Sequence, residues 1–250
     1  MQHQPMQGKV AVVTGGSGGI GSEICRHLAQ AGATVVFSYR NREQAAQRLQ
    51  ASLPGSGHWT KQVSVDDSAG LKLLAAEVAS KHSRCDVLVN CAGITRFVPH
   101  SDLDALEDQL IDDLFRVNWR GAFAAVRAFR PLLETGGSGL VVNISSIAAV
   151  TGMGSNVAYC ASKAALDCMT KSLARALAPR IRVVSVSPGL VDTEFVRGLD
   201  QRWRDEQAAR TPLGRLARPE EIGAAVLAVA TALNYSNGCI IPVDGGRPLT

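Results

Sequence analysis

The sequence predicts an α/β fold in which a doubly wound, mostly parallel sheet of seven strands carries helices on both faces. Short apolar runs alternate with longer segments of helical period along the chain. Strands that are apolar almost throughout are typical of a parallel sheet covered on both faces. The chain has 250 residues, 46% of them hydrophobic, and neither a repeat nor a linker divides it, so we expect one domain over residues 1–250.

The first half of the chain predicts four strands and three helices. The strands are β-branched runs, expected at residues 9–14, 33–38, 58–63 and 86–90. The helices are expected at residues 20–31, 42–53 and 67–82. Gly32 ends the first helix and Pro54 the second, while Asp66 or Asp67 caps the third.

The second half continues the alternation with three helices and three strands. A long helix is expected over about residues 110–133 and a strand at 140–144, followed by a helix at 157–178 that ends before Pro179. Next come a strand at 181–186, a helix at 219–233 with Pro219 in its first turn, and a last strand at 239–243.

Two segments have no such element. Residues 1–8 are polar and lack the apolar stretch of a secretion signal, so we expect a disordered tail in a cytoplasmic protein. Residues 189–218 follow the carboxyl end of a strand without a clear period. Since ligands of such sheets bind at the carboxyl ends of strands, we interpret this segment as a mobile lid over the substrate.

Composition excludes several classes of partner. The 26 basic and 22 acidic residues are scattered, which gives little support to a nucleic-acid partner. No apolar run approaches the roughly 18 residues that a membrane span needs. The six cysteines have no ligand spacing, so we expect reduced thiols and no metal site.

A glycine-rich loop at residues 14–21 joins the first strand to the first helix. Glycines let the backbone turn sharply and approach a diphosphate, and the helix N-terminus favours its negative charge. No Lys-Ser/Thr follows, which excludes a P-loop. The loop therefore predicts a Rossmann-type dinucleotide site. Its spacing fits GxGxxG through Gly16, Gly18 and Gly21, and it fits TGxxxGxG equally well through Gly15, Gly19 and Gly21.

Tyr159 and Lys163 form a second candidate site near the start of a helix. Their spacing of four places both side chains on one helix face. A free phenol has a pKa near ~10, and a neighbouring ammonium lowers it toward the range useful for proton transfer. Ser146 lies just past the strand at 140–144, at the sheet edge where a ligand should bind. Its hydroxyl could hold a substrate carbonyl or hydroxyl oxygen.

Together these motifs resemble the short-chain dehydrogenase/reductase family from Lys9 to about Gly246. The family's patterns occur here in order, as TGxxxGxG at 14–21, NNAG at 90–93, the helix asparagine Asn118, the strand-end Ser146, YxxxK at 159–163 and the turn Pro188-Gly189. The resemblance favours the loop register that uses Gly15, Gly19 and Gly21.

The resemblance implies a mechanism. A nicotinamide cofactor delivers hydride to a carbonyl carbon, Tyr159 supplies the proton and Ser146 polarises the oxygen. Lys163 holds the nicotinamide ribose and lowers the pKa of Tyr159, and Asn118 anchors a water that connects Lys163 to solvent. The catalytic residues implied are Asn118, Ser146, Tyr159 and Lys163.

The loop, the strand ends and the resemblance together give a set of cofactor-binding residues. Thr193 matches the family position that fixes the cofactor's carboxamide. Cys91 departs from the family's second asparagine, and Ser64 stands where an aspartate usually meets the adenine. The full set is Gly15, Ser17, Gly18, Gly19, Ile20, Gly21, Ser38, Arg40, Ser64, Val65, Asn90, Cys91, Ala92, Gly93, Tyr159, Lys163, Pro188, Gly189, Val191 and Thr193.

The end of the second strand indicates NADP(H). An NAD site usually has an acidic residue there for the ribose 2′-hydroxyl, whereas this strand runs into Arg40. Arg40 is placed to bind a 2′-phosphate, with Ser38 or Arg42 assisting. Because the glycine loop supplies no second basic group, NAD(H) stays possible.

Residues 90–96 closely resemble the NNAGITR run of 3-oxoacyl-acyl-carrier-protein reductases, which implies a 3-oxoacyl thioester substrate and a role in fatty acid biosynthesis. Four arginines either meet an acidic carrier protein or lie on solvated helix faces: Arg127, Arg130, Arg175 and Arg180. Two alternatives remain open, a dehydrogenase of another alcohol, sugar or steroid, and a non-catalytic NADP-sensing regulator. The resemblance also implies a homotetramer.

Overall fold

The centre of the fold is one sheet of seven parallel strands in a computed structural model that describes residues 4–249. The strand order is β3-β2-β1-β4-β5-β6-β7, which confirms the predicted doubly wound sheet. The strands are β1 (Val10–Thr14), β2 (Thr34–Tyr39), β3 (Trp59–Gln62), β4 (Val87–Asn90), β5 (Gly139–Ile144), β6 (Ile181–Pro188) and β7 (Ile240–Val243).

Helices cover both faces of this sheet. They are α1 (Gly19–Gln30), α2 (Glu43–Ser52), α3 (Ser68–His82), α4 (Asp108–Phe115), α5 (Ala122–Thr135), α6 (Ala148–Thr151), α7 (Val157–Leu177), α8 (Glu194–Arg197), α9 (Gln201–Ala209) and α10 (Pro219–Thr231). Buried side chains of α1, α2 and α10 form the core on one face, and those of α3, α5 and α7 form the core on the other. Since β1, β4 and β5 are parallel neighbours, their carboxyl ends lie at one edge of the sheet.

The predicted helix at 110–133 is three segments. A π-helical turn, Arg116–Gly121, joins α4 to α5. At Gly121 the helix passes so close to Val65 that an added Cβ would lie 2.8 Å from the Val65 side chain. Apolar periodicity predicts a helix over this stretch but does not reveal a single wider turn within it.

The N-terminal segment differs from the expected disordered tail within the described residues. Met6 is 3% exposed, and its N–H donates to the Ala31 carbonyl at 2.9 Å. One apolar side chain is enough to attach this stretch to the core beside α1. Residues 1–3 of the expected tail lie outside the described residues.

The segment expected as a lid contains α8 and α9. A bridge between Val191 and Ala217 brings its two ends together. Asp192 accepts hydrogen bonds from Arg197 at 3.2 Å and from Arg204 at 3.1 Å, which ties both short helices to the start of the segment. Its mobility stays a prediction. In the part of the chain that the structure describes, no helix is long and apolar enough to cross a membrane.

Candidate active site

The carboxyl ends of β1 and β4 are joined by a threonine. Thr14 Oγ1 accepts hydrogen bonds from the backbone N–H groups of Cys91 at 3.2 Å and Ala92 at 3.3 Å. These bonds hold residues 91–93 beside the glycine loop. The segment predicted to contact the cofactor from β4 therefore lies next to the loop predicted to hold its diphosphate.

The glycine loop is built by close backbone approaches. Gly15 has φ +69°, and an added Cβ there would lie 2.8 Å from the Ala92 Cα. A Cβ at Gly21 would overlap the Gly15 carbonyl, and one at Gly16 would lie 2.6 Å from Phe37. At Gly18 the nearest atom would be 3.4 Å away, an ordinary contact. The positions that require glycine thus include Gly15 and Gly16, one from each register, and Gly21, which both registers share, whereas Gly18 has room for a side chain.

Three buried polar atoms at this edge have no partner. Ser38 Oγ at the end of β2, Asn90 Oδ1 at the end of β4 and Ser145 Oγ just after β5 make no hydrogen bond within residues 4–249. Buried polar groups are nearly always hydrogen-bonded. These unpartnered polar atoms lie beside a loop whose backbone approaches its neighbours too closely to leave room for side chains. Such a site fits a polar ligand that approaches the backbone, as a dinucleotide does.

Tyr159 is positioned by the start of α7. Asn156 caps this helix, with its Oδ1 accepting a hydrogen bond from the Tyr159 N–H at 2.7 Å. The Asn156 Nδ2 donates to the Arg96 carbonyl at 2.7 Å. One asparagine therefore fixes the first turn of α7 to the chain that follows β4.

Ser146 lies near the Tyr159 hydroxyl. Burial raises the pKa of Tyr159 above its ordinary value, and hydrogen bonding by the Ser146 side chain lowers it by less. The expectation that Lys163 lowers this pKa is not met in this structure, because desolvation of the phenol dominates. Tyr159 is therefore a protonated phenol at neutral pH.

Lys163 is buried beside these residues. Its Nζ donates to the Ile144 carbonyl at 2.8 Å and lies 5.8 Å from the centre of the Tyr159 ring. Burial lowers the pKa of Lys163 to about 8. The ammonium is thus within reach of the phenol's π face and is held to the end of β5.

Asn118 lies in the π-helical turn and is 1% exposed. Its Oδ1 accepts a hydrogen bond from the Ile94 N–H at 2.8 Å, and its Nδ2 donates to the Ile94 carbonyl and to Ser162 Oγ, each at 3.1 Å. Both ends of the amide are engaged, so the expected water would have to be held by the Asn118 backbone.

The residues expected to bind the adenosine lie on separate segments of the chain. Val65 is buried against Gly121, and Ser64 Oγ donates to Asp66 at 2.5 Å. The Ser64 hydroxyl is therefore already engaged. Arg40 is exposed in the turn after β2, whereas Ser38 is 1% exposed. Since Ser38 is buried, Arg40 alone of this pair faces solvent where a 2′-phosphate would lie.

The segment 189–218 begins close to the glycine loop. An added Cβ at Gly19 would lie 3.1 Å from Thr193 Cγ2, and Thr193 Oγ1 caps α8. Pro188 accepts a hydrogen bond from the Ile147 N–H at 3.0 Å, while the Gly189 N–H donates to the Val243 carbonyl at 3.0 Å. The start of segment 189–218 is therefore anchored beside the segment that carries Ser146.

A buried polar chain behind the site was not predicted. Asn90 Nδ2 donates to Asn143 Oδ1 at 2.8 Å, and Asn143 Nδ2 donates to Thr170 Oγ1 at 2.8 Å. Thr170 and Ser185 join hydroxyls at 2.9 Å. The chain links β4, β5, α7 and β6. Isolated Asn, Thr and Ser within apolar runs were its only sequence signal.

Comparisons with known proteins agree over nearly the whole chain. A family model described as enoyl-(acyl carrier protein) reductase matches residues 15–247. A 3-oxoacyl-acyl-carrier-protein reductase from Thermotoga maritima is 34% identical, covering 96% of this chain and 98% of the relative. A cis-4-hydroxycyclohexanecarboxylate dehydrogenase from Sinomonas cyclohexanicum is 36% identical, covering 95% and 96%. A solved short-chain dehydrogenase/reductase from Brucella melitensis, described as a glucose/ribitol dehydrogenase, superposes with a TM-score of 0.90 at 30% identity over 99% of both chains.

Proposed function

Since this chain belongs to the short-chain dehydrogenase/reductase family, we propose that it transfers a hydride between NADP(H) and a carbonyl or secondary alcohol, with a 3-oxoacyl thioester as substrate. The observation that carries this proposal is the meeting of Ser146, Tyr159 and Lys163 beside the glycine loop. A regulator that only senses a nucleotide would have no need of a buried phenol and ammonium together.

Ser146, Tyr159 and Lys163 would each have a separate role in the reduction. When bound, the nicotinamide supplies the hydride that goes to the carbonyl carbon. The Ser146 hydroxyl donates a hydrogen bond to the carbonyl oxygen and polarises it. Tyr159, held protonated by its raised pKa, gives its proton to that oxygen. The Lys163 ammonium then stabilises the phenolate that remains.

NADP(H) is proposed on the charges at the end of β2. Arg40 faces solvent there and no acidic residue follows Tyr39 within the turn. Arg42 is a second cation, now paired with Glu194 of the lid. A 2′-phosphate would compete with that carboxylate for Arg42 and meet Arg40 directly.

The substrate proposal rests on the resemblance of residues 90–96 and on the relative named as a 3-oxoacyl-acyl-carrier-protein reductase. Carrier docking by the four arginines has weaker support. Arg130 donates to Glu134 at 2.9 Å, and Arg180 lies 3.6 Å from the same carboxylate. An acidic carrier would have to compete with Glu134 for both. We also propose that the protein acts in the cytoplasm.

A second candidate is a dehydrogenase of an apolar cyclic alcohol. Three large apolar side chains are exposed on the segments beside the site: Phe97 at 63%, Val150 at 77% and Met153 at 55%. The Val98 N–H donates to the Ser155 carbonyl at 2.8 Å, which brings these segments together. This apolar surface beside the site could contact an aliphatic ring as well as an acyl chain.

The two candidates are separated by a substrate panel. We expect NADPH oxidation with an acetoacetyl thioester at a kcat/KM at least tenfold above that with cyclohexanone carboxylates, steroid ketones or aldoses. The measurement is initial rates followed by NADPH absorbance. The reverse order of kcat/KM would support the cyclic-alcohol candidate and remove the acyl one.

The catalytic role is tested by Tyr159→Phe. Removing the hydroxyl removes the proton donor, so kcat should fall by about 10² or more, while the Kd for NADPH changes little. Tyr235→Phe is the matched control, because Tyr235 is fully exposed. Reductase activity retained in Tyr159→Phe would instead mean that another group supplies the proton.

A further inference from the structure

The segment that follows β4 is joined to the loop that leads into α7. Residues 95–100 lie beside residues 154–156, and four hydrogen bonds connect the two stretches. They are the pair of hydroxyls of Thr95 and Ser155, Asn156 Nδ2 donating to the Arg96 carbonyl at 2.7 Å, the Val98 N–H donating to the Ser155 carbonyl at 2.8 Å, and His100 Nε2 donating to the Gly154 carbonyl at 3.1 Å. The roles proposed for Ser146, Tyr159 and Lys163 assign these bonds no task.

Asn156 is the buried centre of this junction. It is 0% exposed, and both ends of its side-chain amide are engaged, with Oδ1 accepting from the Tyr159 N–H and Nδ2 donating to the Arg96 carbonyl, each at 2.7 Å. A helix cap needs only the accepting oxygen, which serine or aspartate supplies equally well. Neither of them also offers the N–H donor that the Arg96 carbonyl receives. Asparagine here therefore serves a second purpose, which is to hold the backbone of Tyr159 against the segment that follows β4.

Gly154 brings the same loop against the Tyr159 ring. A Cβ added at Gly154 would lie 3.1 Å from Tyr159 Cδ1 and 2.8 Å from Cys160 Sγ, so the loop packs closely over the first turn of α7. The carbonyl of Gly154 is the one that His100 binds. Residues 95–100 therefore support Tyr159 in two ways, at its backbone through Asn156 and at its ring through Gly154.

The supporting segment is itself held in place. Just before it, the Ile94 N–H and carbonyl are hydrogen-bonded to the Asn118 side chain at 2.8 Å and 3.1 Å. Within it, the Val98 side chain is 4% exposed and packs in the interior. A stretch fixed in this way can keep a neighbouring ring in one orientation, and a fixed orientation is what a reacting group needs, because a displacement of about 1 Å can cost a large factor in rate.

We propose that Asn156 is a positioning residue of the reaction, which holds the Tyr159 phenol toward Ser146 by joining the start of α7 to residues 95–100. Since Asn156 is fully buried, it acts through Tyr159 and touches neither substrate nor cofactor. Its meaning for catalysis rests on the proposed function. Its effect on the Tyr159 ring is measurable without substrate or cofactor.

The direct test is Asn156→Ser in the full-length protein. Serine keeps the cap and adds no charge, but it removes the donor to the Arg96 carbonyl and so releases the loop from residues 95–100 at this point. The kcat for reduction should fall by about tenfold or more, because the phenol is no longer held in its reactive orientation. The Kd for NADPH and the circular dichroism spectrum should stay unchanged. A kcat that stays at the unsubstituted value contradicts the proposal.

A second readout follows the Tyr159 ring itself by NMR. The chain has three tyrosines, so ¹³C-labelled tyrosine gives few ring signals, and Tyr159→Phe assigns the one that matters. In the presence of a soluble paramagnetic agent, the Tyr159 signal should broaden more in Asn156→Ser than in the unsubstituted protein, because a released loop admits solvent to the ring. The signals of Tyr39 and Tyr235 should be the same in both proteins. Equal broadening of the Tyr159 signal overturns the proposal, whatever the reductase assay gives.

Thr95→Val covers the case in which Asn156→Ser does not fold. Valine has the shape of threonine without its hydroxyl, so this change removes one hydrogen bond between the two segments, and the Tyr159 signal should broaden in the same direction but less. Thr231→Val is the matched control, because the Thr231 hydroxyl donates within α10, to the Leu227 carbonyl at 2.8 Å. A Tyr159 signal that is alike in these two variants refutes the support by residues 95–100. Lack of reductase activity in the unsubstituted protein would remove the proposed function, while the ring signals would still decide whether Asn156 holds the phenol.

Discussion

At the end of β2, Arg40 occupies the position where an acidic residue would bind the ribose of NAD(H). Replacing it by aspartate reverses the charge that a 2′-phosphate meets, and one charge-assisted hydrogen bond contributes about 1.5–3 kcal/mol. We expect Arg40→Asp to lower kcat/KM for NADPH by at least about tenfold relative to NADH. Arg48→Asp, at an exposed position of α2, is the control. A cofactor ratio that does not change would discard the assignment of Arg40.

Asp86, unlike Arg40, contributes to stability and not to binding. It lies at the edge of the sheet opposite the candidate site. Its carboxylate is 7% exposed and accepts hydrogen bonds from Arg84 at 2.9 Å and from the Val10 N–H at 2.9 Å, with Lys9 at 3.3 Å. These partners hold the pKa of Asp86 below its usual value despite burial.

We expect Asp86→Ala to lower the free energy of unfolding by about 2 kcal/mol at pH 7, less than for a fully buried pair because both cations reach solvent. Since the folded-state pKa is depressed, the stabilisation is present above the ordinary carboxyl pKa of about 4 and is lost as pH falls through the folded value. Urea unfolding at pH 7 and pH 3 measures this, with the exposed Asp104→Ala as control. A penalty as large at pH 3 as at pH 7 would contradict the ion-pair explanation.

At the scale of elements, the glycine loop and α1 make the sharpest prediction. A side chain at position 21 would overlap the Gly15 carbonyl, whereas one at Gly18 finds an ordinary contact. Forcing a methyl into closed packing typically costs about 1–3 kcal/mol. Gly21→Ala should therefore lower both the melting temperature and the affinity for NADPH, and Gly18→Ala should keep the melting temperature. Calorimetry and a binding titration measure both, and equal behaviour of the two variants would contradict the difference in packing between positions 18 and 21.

The elements also show what a sequence can predict. All seven strands lie within two residues of their expected bounds, because β-branched runs report burial on both faces. The π-helical turn and α6 were missed, since a local change of winding and a four-residue helix leave no periodic trace. Asn156 was recoverable, because asparagine before a helix is a preferred cap.

For the site, residue identities were predictable but their electrostatics were not. Spacing and resemblance placed Ser146, Tyr159 and Lys163 together, as the structure does. The predicted direction of the Tyr159 pKa shift was wrong, because desolvation of the phenol depends on atoms contributed by the entire fold.

For the whole molecule we propose a homotetramer. Two apolar surfaces support it in the described chain. The edge strand β7 is half-exposed at Ile240, Ile241 and Val243, and the half-buried rings of Trp119 and Phe123 stack 6.0 Å apart. An uncovered apolar edge strand invites pairing.

Light scattering on a sizing column should give four times the 26.4 kDa of one chain. Ile241→Glu, which sets a charge on the β7 edge, should lower that mass while circular dichroism stays unchanged. A mass of one chain for the unsubstituted protein would refute the assembly.

The polar chain from Asn90 to Ser185 has a consequence for how this molecule can change. Its hydrogen bonds join β4, β5 and β6 in their observed register, so these strands cannot slip past one another by a residue without leaving further buried groups unpaired. The register of the three strands is thus fixed by buried hydrogen bonds and does not depend on the surface loops. Insertions around Phe97, Met153 or the segment 189–218 can therefore change the substrate preference. The distance between the Ser146 hydroxyl and the Tyr159 phenol would stay the same.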